Sequence, residues 1–252
     1  MTPSRFVVAA LVGWLFVGLL SAAPQFVPGP SARYGHKMAY DAQRQVVVLF
    51  GGRTNSGTTL GDTWEWDGSR WVERLPANSP SPRDRGAFAY DRQRGVCVYF
   101  GGQDSGNLNE TWEWDGQDWQ EVSLGPPISP RRYCEMVYDE SRNEMVLFSG
   151  VSGFNIGVPK KDTWTYDGSS WVESVVSPSP EGSSVAMAYD PVTTQTVLFG
   201  GQGSQNTGNL DQTFIWDGLA WFQQTPNQVP PVRQLHGMCF DRSENKAIVF
   251  GG

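Results

Sequence analysis

The sequence predicts an all-β fold built from tandem four-stranded antiparallel units. Three observations predict it. The stretch "GDTWEWDGSRW" (61–71) recurs as "NETWEWDGQDW" (109–119), "KDTWTYDGSSW" (161–171) and "DQTFIWDGLAW" (211–221). Its closing Trp falls at 71, 119, 171 and 221, so the copies lie 48, 52 and 50 residues apart. Two further markers keep the same period. One ends at Asp41, Asp91, Asp139, Asp190 and Asp241; the other is an apolar run closed by Gly52, Gly102, Gly150, Gly201 and Gly252. A fixed period near ~50 residues is the mark of a repeat architecture.

Each unit reads as four short strands. In "GHKMAYD", Met38 and Tyr40 alternate with Lys37 and Ala39, the period of two expected of a strand. A polar turn, "AQRQ", leads to "VVVLF", apolar on both faces and so a buried strand. Gly51-Gly52 stops it, because glycine accepts backbone angles that other residues resist. In the third strand, Trp64 and Trp66 share one face while Thr63 and Glu65 share the other. Asp67-Gly68 makes a tight turn, and Trp71 opens the fourth strand, "WVERL". The connector "PANSPSP" is rich in Pro, which donates no backbone hydrogen bond and discourages strand extension.

Four antiparallel strands repeated in tandem describe the blades of a β-propeller. With the double Gly closing strand two, the aromatic pair in strand three, the Trp opening strand four and the Arg before strand one (Arg33, Arg83, Arg131 and Arg233), the chain resembles the kelch-repeat propellers. Secreted propellers of that kind include the central domain of galactose oxidase. The resemblance implies repeats at 33–82, 83–130, 131–181 and 182–232, with a partial fifth at 233–252. It therefore implies an incomplete ring of four full blades and half of another. Residues 24–32 are too short and too Pro-rich to complete the fifth, so a continuation past Gly252 is expected. Two departures stand out: Ser149 replaces the first Gly of the pair in unit three, and Gly182 replaces the Arg in unit four.

Blades stack face to face at about 10 Å, so large side chains on one sheet must meet small ones on the next. Met38, Phe88, Met136, Met187 and Met238 form a large column; Ala39, Ala89, Val137, Ala188 and Cys239 form a small one. The chain has eleven Trp, and all but Trp14 lie in the repeated motif. A feature present once per unit points to packing rather than to one catalytic cluster. Cys97 and Cys239 are expected buried, and the three cysteines are too widely spaced for a disulfide framework.

Residues 1–23 read as a signal peptide: Arg5, an uncharged run from Phe6 to Leu20, then small residues at Ser21-Ala22-Ala23. An uncleaved anchor helix is the alternative. Either places the rest, a linker at 24–32 and the propeller, outside the cytoplasm: secreted, periplasmic or at a cell surface. The net charge of −7 and the lack of any Lys/Arg run argue against nucleic acid and anionic membranes.

The resemblance implies that Arg33, Arg83, Arg131 and Arg233 ring the mouth where the loops after strand two gather. Guanidinium binds carboxylate, phosphate or sulfate bidentately, so these four are the candidate ligand-binding residues. The alternative is that each bonds carbonyls or acids of its own surroundings. His36 and His236 occupy one column, but one His per distant blade is a weak metal signal, and no copper-ligand set of two Tyr and two His assembles. The Asp after each first strand suits turn formation. Asn109-Glu110-Thr111 matches a glycosylation sequon but lies inside a repeat. The expected function is a monomeric, cofactor-free, non-enzymatic module for a protein or carbohydrate ligand. The rivals are a copper-dependent or carbohydrate-active propeller enzyme, or a purely structural repeat.

Overall fold

The computed structural model describes residues 29–122, 128–153, 159–204 and 207–252. The signal-peptide segment and most of the linker lie outside the described residues. The first sheet holds β1 (Lys37–Asp41), β2 (Val46–Phe50), β3 (Thr63–Trp66) and β4 (Trp71–Arg74). The second holds β5 (Ala87–Asp91), β6 (Val96–Phe100), β7 (Thr111–Trp114) and β8 (Trp119–Val122). The third holds β9 (Glu135–Asp139), β10 (Glu144–Phe148), β11 (Thr163–Tyr166) and β12 (Trp171–Ser174). The fourth holds β13 (Ala186–Asp190), β14 (Gln195–Phe199), β15 (Thr213–Trp216) and β16 (Trp221–Gln224). β17 (Gly237–Asp241) and β18 (Lys246–Phe250) form a two-stranded fifth sheet. Every four-stranded sheet is an antiparallel meander in chain order, which is the propeller blade the period implies. Among the described residues none is helical, and no helix is long and apolar enough to cross a membrane.

The first strands of successive blades (β1, β5, β9, β13 and β17) pack against one another and so form the inner wall. The turns leaving them are fixed locally. The Asp41 carboxylate accepts the backbone N–H groups of Gln43 and Arg44 at 3.0 Å each, and Asp91 and Asp139 repeat the arrangement. These acids are therefore turn-formers, as the sequence suggests.

Between blades the two columns interlock. Ala39, Val48 and Phe50 of blade one bury against Phe88, Tyr90, Cys97, Trp114 and Trp119 of blade two. The fourth-strand Trp is the wedge. The Trp119 ring lies 4.9 Å from Phe50, and its Nε1 donates to the buried Thr63 hydroxyl at 2.9 Å. Trp171 donates to Thr111 and Trp221 to Thr163 in the same way, at 2.9 and 2.8 Å. The Thr that opens each motif is thus the socket for the Trp of the following blade.

Burial follows the neighbour and not the strand alone. Phe88 and Tyr90 are 7% and 8% exposed, whereas their counterparts Met38 and Tyr40 on the uncovered face of blade one are 51% and 56% exposed. The same logic corrects an expectation. Cys97 and Cys134 are buried, but Cys239 is exposed, because its side faces away from blade four and no described sheet covers it. All three thiols are free.

The third seam differs from the first two. Glu65 accepts from Arg44 (2.6 Å), Arg74 and, across the seam, Trp114 Nε1 (3.0 Å). Glu113 likewise accepts from Arg94 and from Tyr166 across the second seam at 2.8 Å. At the third seam the position holds Thr165, and the acid has moved to Glu144, where the first two units carry Val46 and Val96. Among the described residues the buried Trp216 Nε1 has no partner, and Arg142 turns to the Asp217 carbonyl instead. Restoring the pattern with the double substitution Glu144→Val/Thr165→Glu is expected to stabilise by about 1–2 kcal/mol, the value of pairing a buried donor. Thr165→Glu alone should gain less, because two carboxylates would then share one face of neighbouring strands. Urea-unfolding midpoints of the three chains check both statements.

Candidate ligand-binding mouth

The four arginines singled out by sequence do not point into the mouth. Arg131 is 1% exposed and spends all five of its N–H donors inside its own blade. Nε donates to Ser129 O, Nη1 to Ser149 O and Asp162 Oδ1, and Nη2 to Asp162 Oδ2 and Ser129 Oγ, at 2.7–3.1 Å. Arg33 repeats every contact with Ser31, Gly51 O and Asp62. Arg83 repeats the arrangement in part: Nε and Nη2 donate to Ser81, Nη1 reaches Gly101 O at 3.4 Å, and Nη2 pairs with Glu110 at 2.6 Å. Arg233 bonds Pro231 O and Gly251 O. The expectation that this column binds an anion is corrected for Arg33 and Arg131, whose five donors are all engaged. Arg33, Arg83 and Arg131 are clamps that tie the incoming connector to the end of strand two and the start of strand three, and Arg33 and Arg131 have no donor left to offer.

The mouth is built two residues later. Gly35, Arg85, Tyr133, Ser184 and Leu235 occupy the same position in successive units, and all five have left-handed backbones, with φ between 55° and 67°. Their main chains form a collar. Arg85 N donates to Gly35 O (2.7 Å), Tyr133 N to Arg85 O (2.8 Å), Ser184 N to Tyr133 O (3.0 Å) and Leu235 N to Ser184 O (3.2 Å). Left-handed φ disfavours side chains with a Cβ, yet four of the five positions carry one. Such strain concentrates at binding and catalytic sites. The collar holds the backbone constant while the side chains differ completely in chemistry, which suits recognition. Sequence reasoning missed it because those residues share no type; the sole signal was their fixed offset from the arginines.

The collar surrounds a cavity of about 500 Å³ at the start of the inner strands. Arg85 dominates it. Its guanidinium stacks between Tyr34 and Tyr133, 5.4 and 5.2 Å from the ring centroids, and Nη1 donates to Asp84 Oδ2 at 2.9 Å. Its Nε and Nη2 make no hydrogen bond among the described residues. Asp84 is fully buried and also accepts from Arg53 at 3.1 Å, so Arg85 is held in place while retaining unpaired donors. Below it, Lys37 of blade one reaches across to Glu135 of blade three at 2.7 Å and forms a strut over the channel. Burial acts to lower the Lys37 pKa, but the charge and hydrogen bond of Glu135 outweigh it, and the net direction is up. Lys37 is therefore charged at neutral pH.

The remaining candidates do not assemble a reaction centre. His36 and His236 both face this cavity, and burial, then the nearby Arg33 and Arg233 respectively, lower their pKa values, so both rings are neutral at pH 7. Among the described residues, no three His, Cys, Asp or Glu side chains gather as metal ligands. Asn109 donates its amide to Ile128 O at 3.1 Å, so the sequon side chain is engaged in the fold.

No curated protein matches the chain. Residues 20–186 match the family model for the KLHDC2/KLHL20/DRC7 kelch-repeats domain. The match spans the first three clamps and their blades, and the fourth and fifth sheets continue the same order. The chain belongs to the KLHDC2/KLHL20/DRC7 family of kelch-repeat domains.

Proposed function

We propose that this kelch propeller is an extracytoplasmic, non-enzymatic binding module that captures a protein ligand through an acidic group at the collar. The coarse part follows from the family, since kelch repeats form protein-interaction propellers. Arg85 carries the finer part. It is the collar's guanidinium with unpaired donors, oriented by two tyrosine rings and anchored by a buried carboxylate. Guanidinium binds carboxylate in a planar, bidentate manner, and the aromatic walls limit competition from water. Ser184 and Leu235 complete the rim with a hydroxyl and an apolar contact, so one cavity offers charge, hydrogen bonding and shape. The apolar run at the N-terminus supports export, and the chain is expected to act as a monomer.

The test is an array of acidic and neutral peptides probed with the purified chain. Acidic peptides should bind, and Arg85→Ala should weaken them by at least about tenfold, the usual scale for a buried charge-assisted contact, with an unchanged melting temperature. Equal binding of acidic and neutral peptides, or full binding by Arg85→Ala, would overturn the proposal.

A further inference from the structure

The inner strands open a second, separate cavity at their other end, where the turns after β1, β5 and β9 converge. It measures about 670 Å³ and is lined by Gln43, Tyr90, Arg92, Gln93, Tyr138 and Glu140, among others. A smaller adjoining cavity of about 210 Å³ adds Tyr40 and Arg242. Arg92 Nη1 of blade two and Arg242 Nη2 of blade five both converge on Glu140 Oε1 of blade three, Arg92 at 3.2 Å. Two guanidiniums share one carboxylate, which leaves a single excess positive charge. Nε of each, Nη2 of Arg92 and Nη1 of Arg242 have no hydrogen bond among the described residues. The Gln43 and Gln93 side-chain amides are equally unpaired there. Tyr90, more than nine-tenths buried, carries its hydroxyl beside Asp41 and completes no hydrogen bond among the described residues. Burial first, and then that carboxylate, push its pKa up to about 12, so the hydroxyl keeps its proton.

We infer that this floor is a binding site for an acidic sugar, a ring bearing several hydroxyls and one carboxylate. The volume lies in the range of small-molecule sites and far exceeds that of an inorganic anion. Amides both donate and accept, and a protonated phenol does likewise, which is what ring hydroxyls require. Tyrosines supply an apolar body next to that polar tip, suited to the C–H face of a pyranose. The one excess charge selects a monoanion, and guanidinium fits its carboxylate in bidentate fashion. The site shares no residue with the collar.

The experiment titrates the full chain with glucuronate, glucose and inorganic phosphate, followed by NMR or calorimetry. Glucuronate should bind, with glucose and phosphate at least tenfold weaker. Arg92→Gln/Arg242→Gln should weaken glucuronate at least tenfold, whereas Glu140→Gln should strengthen it severalfold, because it frees both guanidiniums. A loss in one variant and a gain in the other cannot arise from misfolding. Arg85→Ala should leave the titration unchanged, so failure here is separable from failure at the collar. Absence of glucuronate binding, equal binding of glucose or phosphate, or weaker binding by Glu140→Gln would overturn the inference.

Discussion

Trp119→Ala is expected to destabilise the chain by about 3–5 kcal/mol, the range for truncating a buried aromatic. The Trp119 ring sits 4.9 Å from Phe50, 5.5 Å from Trp114 and 6.0 Å from Phe88, so its loss opens a void between two blades. It also removes the donor to Thr63, whose buried hydroxyl is then left without a partner. In a repeat array each unit is held mainly by its neighbours, so weakening one seam is felt by both flanking blades. Trp71 provides the internal control. It occupies the same place in blade one, where no described sheet precedes it, and it is only half-buried. Trp71→Ala should therefore lose clearly less, while Trp119→Phe, which keeps a ring and loses the hydrogen bond, should fall between. Chemical unfolding of the three variants decides the matter: equal losses for Trp71→Ala and Trp119→Ala would refute the wedge role.

What could be read from the sequence, and what could not, divides along physical lines. The strands, turns and blade order were legible because a five-fold repeat acts as an alignment within one chain. The pairing of Ala39 with Phe88 across a seam was equally visible, since volume must alternate between stacked sheets. The arginine clamps were misassigned, although their partners leave a trace. Ser31, Ser81 and Ser129 each stand two residues before a clamp Arg, and Asp62, Glu110 and Asp162 supply the acid. Unit four lacks both halves at once, with Gly182 for the Arg and Gln212 for the acid.

The two departures in units three and four meet at one contact. A Cβ on Gly101 or Gly200 would meet the carbonyl of Arg131 or Arg233 at 2.8 Å, which explains the glycine. Ser149 takes that position with φ 62°, and its hydroxyl turns the close approach into a hydrogen bond to the Gly182 carbonyl. Nothing in a single repeat shows such a link, since the partners belong to successive units. The collar was hidden for a different reason. It is defined by backbone angles and main-chain bonds, and Gly35, Arg85, Tyr133, Ser184 and Leu235 have no side-chain property in common. Cys239 was misjudged because its own strand pattern says nothing about whether another sheet lies against it.

Arg131→Met should be the most costly charge substitution, at about 3–5 kcal/mol, the penalty for breaking a buried pair from one side. It removes five hydrogen bonds and strands the Ser149 carbonyl, but the greater effect falls on Asp162. Burial pushes the Asp162 pKa up, and the hydrogen bond and charge of Arg131, then the bond from Trp164 Nε1, more than reverse this, so the net direction is down. An acid with a depressed folded pKa contributes stability that is fully present above its unfolded value of about 3.9 and is lost as pH falls through the folded value. Without Arg131 the burial effect dominates, the folded pKa rises above the unfolded one, and the sign inverts. Arg131→Met should therefore begin to gain relative stability as pH drops toward 4, where the wild type begins to lose it. Adding Asp162→Asn should recover much of the loss at pH 7, because the stranded charge is gone. Unfolding measured from pH 3 to 8 on the wild type, the single and the double variant tests all of this. Arg131→Met with wild-type stability but abolished capture of acidic peptides would return the arginine column to the binding site and remove the clamp role.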